Sequence, residues 1–421
     1  MDDGWVRAAL ESVIDREPPR SLVHDSLRAG VKLRRRRRLA QGVTGSAAVV
    51  AVAAVVVAIP KVAPGNSAAA SGAVAGPTTA YVVNIGGDTI TPISTGNGTP
   101  GRPIKLDIYP ASMTIAPGGK TFYVPGFGGV VPVNATTNKP GRTIKVGGWP
   151  QRVVIAPDGK TAYVSAQGTK HDGQSTNASF VVPFTTATGK PGRPIRIGPF
   201  TGALAAQTMA ITPDGKTVYV LNAGAVVPIT TATNKPGRPI KVGGSPQDIV
   251  IAPDGKTAYV ASGSSAGPGW VTPIATATST AGKPIKVGNS PEAIAITPDG
   301  KTAYVIGGSS DGWVTPIATA TGIAGKPIRV GNSPEAIAVT PDGKTAYIAN
   351  YGSSTVTPVA TATNTAGSPI NVGLHPWTIA ITPDGRTVYV DSDKTNKVTP
   401  IATATNTASS PITVEIGRAH V

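Results

Sequence analysis

Two glutamates, Glu292 and Glu335, stand 43 residues apart in identical phrases, Asn-Ser-Pro-Glu-Ala-Ile-Ala. Two carboxylates held at matching points of neighbouring units could work as an acid–base pair on a glycosidic bond. The same position in other copies of the phrase holds Ala111, Gln151, Gln207, Gln247 and Trp377. The next position holds Ser112, Arg152, Thr208, Asp248, Ala293, Ala336 and Thr378. Arg152 offers a charged donor fork, Asp248 an acceptor, and the glutamines offer both kinds of group. Trp149, Trp270 and Trp313 fall just before or within neighbouring apolar runs and could serve as stacking platforms for a sugar or peptide. Plainer roles stand beside these. The two glutamates could be solvated charges at a channel mouth, and Trp270 and Trp313 could pack one unit against the next. His171 and Asp172 sit in a polar Gly/Ser stretch that reads as an exposed loop.

Composition narrows the chemistry. There is no cysteine, which excludes disulfides, thiol nucleophiles, Cys-based zinc sites, covalent haem attachment and a lipoprotein anchor. The four histidines, His24, His171, His375 and His420, show no metal-ligand spacing, so neither metal nor cofactor is expected. Gly 51 and Pro 40 imply frequent tight turns, and 5% aromatics suits many short strands better than a compact enzyme core.

The elements that must position these residues begin with an unlike N-terminal part. Residues 1–38 read as a short cytosolic lead ending in five arginines, Arg34 to Arg38. From Leu39 to Ile59 the chain is uncharged and dominated by Ala and Val, long enough to cross a bilayer as one helix. The arginines before it place the lead in the cytoplasm and the rest outside the membrane. A cleaved export signal, with Ala68 to Ala70 as its small-residue site, is the alternative and would make the protein secreted. Residues 60–78 read as a Pro/Gly-broken flexible linker.

From residue 79 to 415 the chain repeats. The phrase Pro-Asp-Gly-Lys-Thr or a close variant begins at Pro117, Pro157, Pro213, Pro253, Pro298, Pro341 and Pro383, at intervals of 40 to 56 residues. Each unit reads as four short strands joined by tight turns, with Pro327 and its counterparts restricting the last strand to a blade edge. This predicts an all-β fold, a β-propeller of four-stranded blades. The second, third and fourth strands occur eight times, but the first strand occurs only seven. Closing eight blades therefore needs one more inner strand, expected after residue 414. Ile416 to Val421 fits no repeat and matches one reading frame of a common sequencing adapter, so the native C-terminus is expected to differ.

Ala80-Tyr81-Val82-Val83-Asn84, Val218-Tyr219-Val220-Leu221-Asn222 and Ala346-Tyr347-Ile348-Ala349-Asn350 resemble the YVTN repeats of bacterial β-propeller proteins. The resemblance covers about residues 78–415. It implies a surface or periplasmic protein and a default of seven blades, against the eight counted from strands. It implies no particular activity.

Blade geometry separates two faces. The variable columns and the loops carrying Trp149, Trp270, Trp313 and Trp377 share one face, as would Phe200, Tyr351 and His375. This aromatic rim (Gln151, Arg152, Gln207, Gln247, Asp248, Glu292, Glu335 and the tryptophans) is the expected ligand surface. Phrases such as Lys139-Pro-Gly-Arg142-Thr-Ile-Lys145 and Lys235-Pro-Gly-Arg238-Pro-Ile-Lys241, with Arg193, form a basic arc assigned to the opposite face. Residues 1–38 hold ten Lys/Arg against six Asp/Glu, so most of the +16 charge lies on the repeats. The arc is expected to meet an anionic membrane surface or cell-wall polymer, with generic solubility as the plainer reading. Export argues against nucleic acid. Three functions follow: a binding module for a glycan, peptide or cell-wall ligand, a lactonase-like or glycan-acting hydrolase, or a sensor with a cytosolic partner.

Overall fold

The computed structural model describes residues 57–60 and 78–414, apart from 86, 169–177, 200–207, 223, 265–266, 309 and 393–394. Every regular element among the described residues is a strand, and they assemble into eight antiparallel sheets. No described helix is long and apolar enough to cross a membrane.

The sixth blade shows how a unit forms. Its strands are Pro291–Ile296, Thr302–Gly307, Trp313–Ala318 and an edge split into Ile323–Ala324 and Ile328–Arg329. Lys326 and Pro327 occupy the break, because proline brings no N–H to an edge ladder. The first hairpin is closed by the repeated phrase. Gly300 takes φ 72°, a left-handed value that favours glycine. Asp299 accepts hydrogen bonds from the Thr297 hydroxyl at 2.6 Å and the Lys301 amide at 3.0 Å. The Thr319 hydroxyl, in the turn after the third strand, donates to the Gly300 carbonyl at 2.6 Å and ties the two turns together. The repeated aspartate is thus a turn former, as its Pro-Asp-Gly context predicts.

A blade packs through its neighbours. The second-strand tyrosine is almost fully buried, and its hydroxyl reaches the turn after the third strand of the next blade. Tyr81 donates to the Ala135 carbonyl and Asn138 Oδ1, Tyr163 to Asn234 Oδ1, Tyr304 to Asn364 Oδ1 and Tyr347 to Asn406 Oδ1, at 2.6 to 3.2 Å. The accepting asparagines hold positive φ, which their short polar side chains tolerate. Burial pushes the Tyr81 phenol up to about 12, so this donor stays protonated at any physiological pH.

The first blade closes the ring. Its strands are β1 (Val57–Pro60), β2 (Thr78–Asn84), β3 (Thr89–Ser94) and β4 (Ile104–Lys105), paired in that order. β1 pairs antiparallel with β2, Val57 opposite Tyr81 and Pro60 opposite Thr78, and lies beside the inner strand Pro376–Ile381 of the eighth blade. The seam is apolar: Ala80, Val82 and Ile93 pack with Tyr389, Val398, Ile412 and Val414. The ring has eight blades, as the strand count implies and against the seven-blade default. The missing inner strand comes from the N-terminal side, not from beyond residue 414. Val57 to Ile59 belong to the stretch expected as the end of a transmembrane helix, and Pro60 opens the expected linker, yet these four residues form a strand. The rest of that stretch, the lead and the tail at 416–421 lie outside the described residues.

Replacing Tyr304 with Phe removes one inter-blade hydroxyl and should cost about 1 kcal/mol in chemical denaturation, the usual net worth of such a bond. Asn364→Ala should cost less than its full amount when added to Tyr304→Phe, because both remove the same contact.

Candidate channel-mouth site

The inner strands lie side by side around the ring and define a central channel. In five blades the inner strand carries a β-bulge near its start. The register slips between Pro150 and Arg152, Pro246 and Asp248, Pro291 and Ala293, Pro334 and Ala336, and Pro376 and Thr378. The residue that the register steps over is Gln151, Gln247, Glu292, Glu335 or Trp377. A bulge frees one residue from the ladder and re-aims side chains. The turn before it uses left-handed backbone at Ser290, Ser333 and His375, and at Gly148 and Gly244 in the third and fifth blades. In these five blades the first variable column is thus the extra residue of a bulge, and its identity changes while the proline before it recurs. Gln207 lies outside the described residues.

The second column does something different. Ser112 donates to the Gln151 carbonyl of the next blade at 2.7 Å. Asp248 accepts from its neighbour Ile249 N–H at 2.9 Å and from Ile294 N–H of the next blade at 3.1 Å. Both carboxylate oxygens of Asp248 are therefore held by backbone N–H groups, and the bond from Ile294 ties one inner strand to the next. Arg152, two blades away, acts on Asp248 electrostatically, and burial draws its guanidinium down from the usual value. Burial pushes the Asp248 carboxyl up to about 6 against those two donors and the Arg152 charge. Glu292 and Glu335 are half-buried in adjacent blades.

Three aromatic side chains gather beside the eighth inner strand. Tyr351 stacks on His375 with ring centroids 4.4 Å apart, and Trp377 meets Tyr351 edge-on at 5.4 Å. Trp149 meets Phe127 edge-on at 6.1 Å. Trp313 is not part of this rim. It is buried in the core shared by the fifth and sixth blades, with Nε1 donating to the Asn289 carbonyl at 3.2 Å. The rings are held there by the glycines around it, since a Cβ at Gly288 or Gly307 would collide with the indole. Trp270 is half-buried opposite Lys286. The exposed apolar side chains Phe127 and Leu374 escaped the sequence reading, since neither occupies a recurring position. His171 and Phe200 lie outside the described residues.

The basic arc is placed differently from its expectation. Its phrase runs up the outer edge of each blade from one face to the other. Lys235 pairs with Thr230 at the hairpin-turn end, whereas Lys241 pairs with Ala225 at the aromatic end. In the second blade Lys139 pairs with Asn134 at the hairpin-turn end, and Lys145 follows Ile144, which bridges Val130 near the aromatic end. Arg142, Arg193 and Arg238 fall between the two ends. The arc belongs to the perimeter, and its last cations reach the aromatic face. Arg329 there is paired with Asp311 at 2.7 Å. Among the described residues no cluster of His, Asp and Glu could hold a metal ion.

No protein-family model and no curated protein matches the sequence. Solved structures do. Hydrazine synthase of Kuenenia stuttgartiensis is 23% identical, over 72% of this chain and 98% of its own, with a TM-score of 0.56. A functionally unknown protein from Desulfotomaculum acetoxidans is 18% identical, over 69% and 94%, at 0.53. The dihydro-heme d1 dehydrogenase NirN, solved in complex with DHE, is 13% identical, over 80% and 74%, at 0.64. These likenesses show the propeller fold alone.

In an unfolded chain the Asp248 carboxyl ionises near pH 4. In the folded ring it keeps its proton up to about 6, so the folded state binds more protons in between. The stability this group confers is full below pH 4 or so and is lost as the pH rises through the folded value. Urea denaturation across that window should show the wild type losing stability relative to Asp248→Asn. The lowered carboxyls of Asp214, Asp299 and Asp342 act below that window and are common to both proteins.

Proposed function

We propose that this protein is a binding module held on the outer side of a bacterial membrane, taking a glycan, peptide or cell-wall fragment at the channel mouth. The observation that carries the reading is the bulge. Eight blades form a scaffold, and in five of them a bulge sets one residue at the mouth, of three types: Gln151 and Gln247, Glu292 and Glu335, and Trp377. Amides, carboxylates and an indole set around one opening are the donors, acceptors and apolar platform that a polyhydroxylated or peptidic ligand needs. The uncharged stretch from Leu39 supports the membrane location, and the YVTN resemblance supports the extracytoplasmic one. Hydrolysis gains no support from Asp248, whose two oxygens are committed to backbone N–H groups. No observation singles out the sensor reading.

The full chain, purified in detergent, can be screened against glycans, peptidoglycan fragments and peptides. A ligand found in this way should bind Trp377→Ala about tenfold or more weakly, as expected for an aromatic anchor. Glu292→Gln and Glu335→Gln should alter selectivity between charged and neutral ligands. Unchanged binding by all three variants would contradict the channel-mouth site.

A further inference from the structure

Among the described residues of the inner strands, Arg152 is the one Lys or Arg, and Asp248, Glu292 and Glu335 are the only acids. Arg152 directly follows the bulged Gln151 and stands opposite Ser165 of the second strand. Its counterparts Ser112 and Asp248 use their side chains to hold the next inner strand. Arg152 does not. Its guanidinium makes no hydrogen bond and no close ion pair among the described residues. The opposite charge that acts on it is Asp248, two blades along, and both oxygens of that carboxylate are already held by backbone N–H groups. Arg152 is thus a half-buried fork of five N–H donors on the channel wall, where burial already disfavours its charge. A guanidinium drawn out of water is costly unless an anion and hydrogen bonds compensate it. A carboxylate matches the planar fork with two parallel bonds.

The other side of the channel has the opposite sign. In a ring of eight, the seventh blade faces the third, so Glu335 stands across the channel from Arg152, with Glu292 beside it on the sixth. Carboxylates on that wall repel a polyanion and attract an ammonium. We infer that the channel mouth takes a short peptide, its C-terminal carboxylate paired with Arg152 and its amino end turned towards Glu292 and Glu335. The inference rests on the channel-mouth reading above and narrows its ligand to a peptide. An extended chain rises about 3.3 Å per residue, so a few residues reach from one pole to the other. A neutral glycan offers neither charge, and an acidic one offers only the carboxylate. Trp377, on the eighth blade beside Glu335, is then placed to take an apolar side chain of the peptide.

The full chain in detergent is incubated with a tripeptide library bearing free termini, and separately with the same library amidated at the C-terminus. Peptides retained on ultrafiltration are quantified by mass spectrometry. The wild type should hold the acids about tenfold or more tightly than the amides, the scale of one charged anchor. Arg152→Gln should abolish that preference and leave retention of the amides unchanged. Arg152→Lys should restore it only in part, because a point charge lacks the fork. Acetylating the amino terminus should weaken retention by the wild type, and Glu335→Gln should remove that effect. The comparison of acids with amides needs the wild type alone, so it decides the matter even where a variant does not fold. Equal retention of acids and amides by the wild type overturns the inference, as does an Arg152→Gln protein that keeps the preference. An oligogalacturonate retained through Arg152 in place of the tripeptides overturns the peptide as ligand. Retention of no tripeptide, with a glycan bound through Trp377, overturns the inference and leaves the channel-mouth reading standing. Retention of neither overturns both.

Discussion

A four-stranded blade of this protein has two apolar faces and no means of covering them itself. That constraint organises everything else. Each face is buried only when another blade lies against it, so stability is shared between neighbours and the ring must close. The second-strand tyrosine is the clearest expression of this dependence. Its ring fills the inter-blade core, and its hydroxyl finds a partner in the adjacent blade's turn, as Tyr304 does in Asn364. Without that partner a buried phenol would be an unsatisfied donor. The seam between the eighth and first blades follows the same logic with apolar contacts, Ile412 and Val414 against Ala80 and Val82.

This burden falls on the apolar positions of all four strands, Ile249 and Ile294 of the inner ones included, and the mouth of the channel varies above them. The bulge at the start of the inner strand separates two roles in consecutive residues. One residue leaves the ladder and differs between blades. The next ties neighbouring inner strands, as Ser112 does through Gln151 and Asp248 does through Ile294. A site built in this way can change its chemistry without disturbing the scaffold. It also explains why Asp248, which reads as a rim acceptor in the sequence, is a structural tie in the fold.

Much of the architecture is legible in the sequence because the repeat is written in turn chemistry. Pro-Asp-Gly-Lys-Thr marks each hairpin, and the alternating runs that flank it mark the strands. The inner strand of the first blade was not legible. Val57–Pro60 has no Pro-x-x-Ile-Ala phrase before a hairpin, and its apolar residues merge into the uncharged stretch before it. An apolar run of this kind reads equally as helix or strand. The site was legible as two variable columns, but not their division of labour, because a register slip leaves no mark in one sequence. Trp313 shows the same limit. Its position beside a loop suits a rim platform, and only the close approach of Gly288 and Gly307 shows that it is core. The basic phrases were read correctly as edge strands, but a strand spans both faces, and charge spacing does not say which end matters.

The account turns on β1, which closes the ring. Paired Cα atoms in an antiparallel ladder stand about 4.5–5.5 Å apart, within reach of a disulfide. Ile59 lies opposite Thr79, and Thr89 lies at the other end of the blade. Full-length protein carrying Ile59→Cys with Thr79→Cys should cross-link under mild oxidation, read by mass spectrometry of the linked peptides, and Ile59→Cys with Thr89→Cys should not. Absence of the first link, or equal formation of both, would contradict the closure of the ring by this strand.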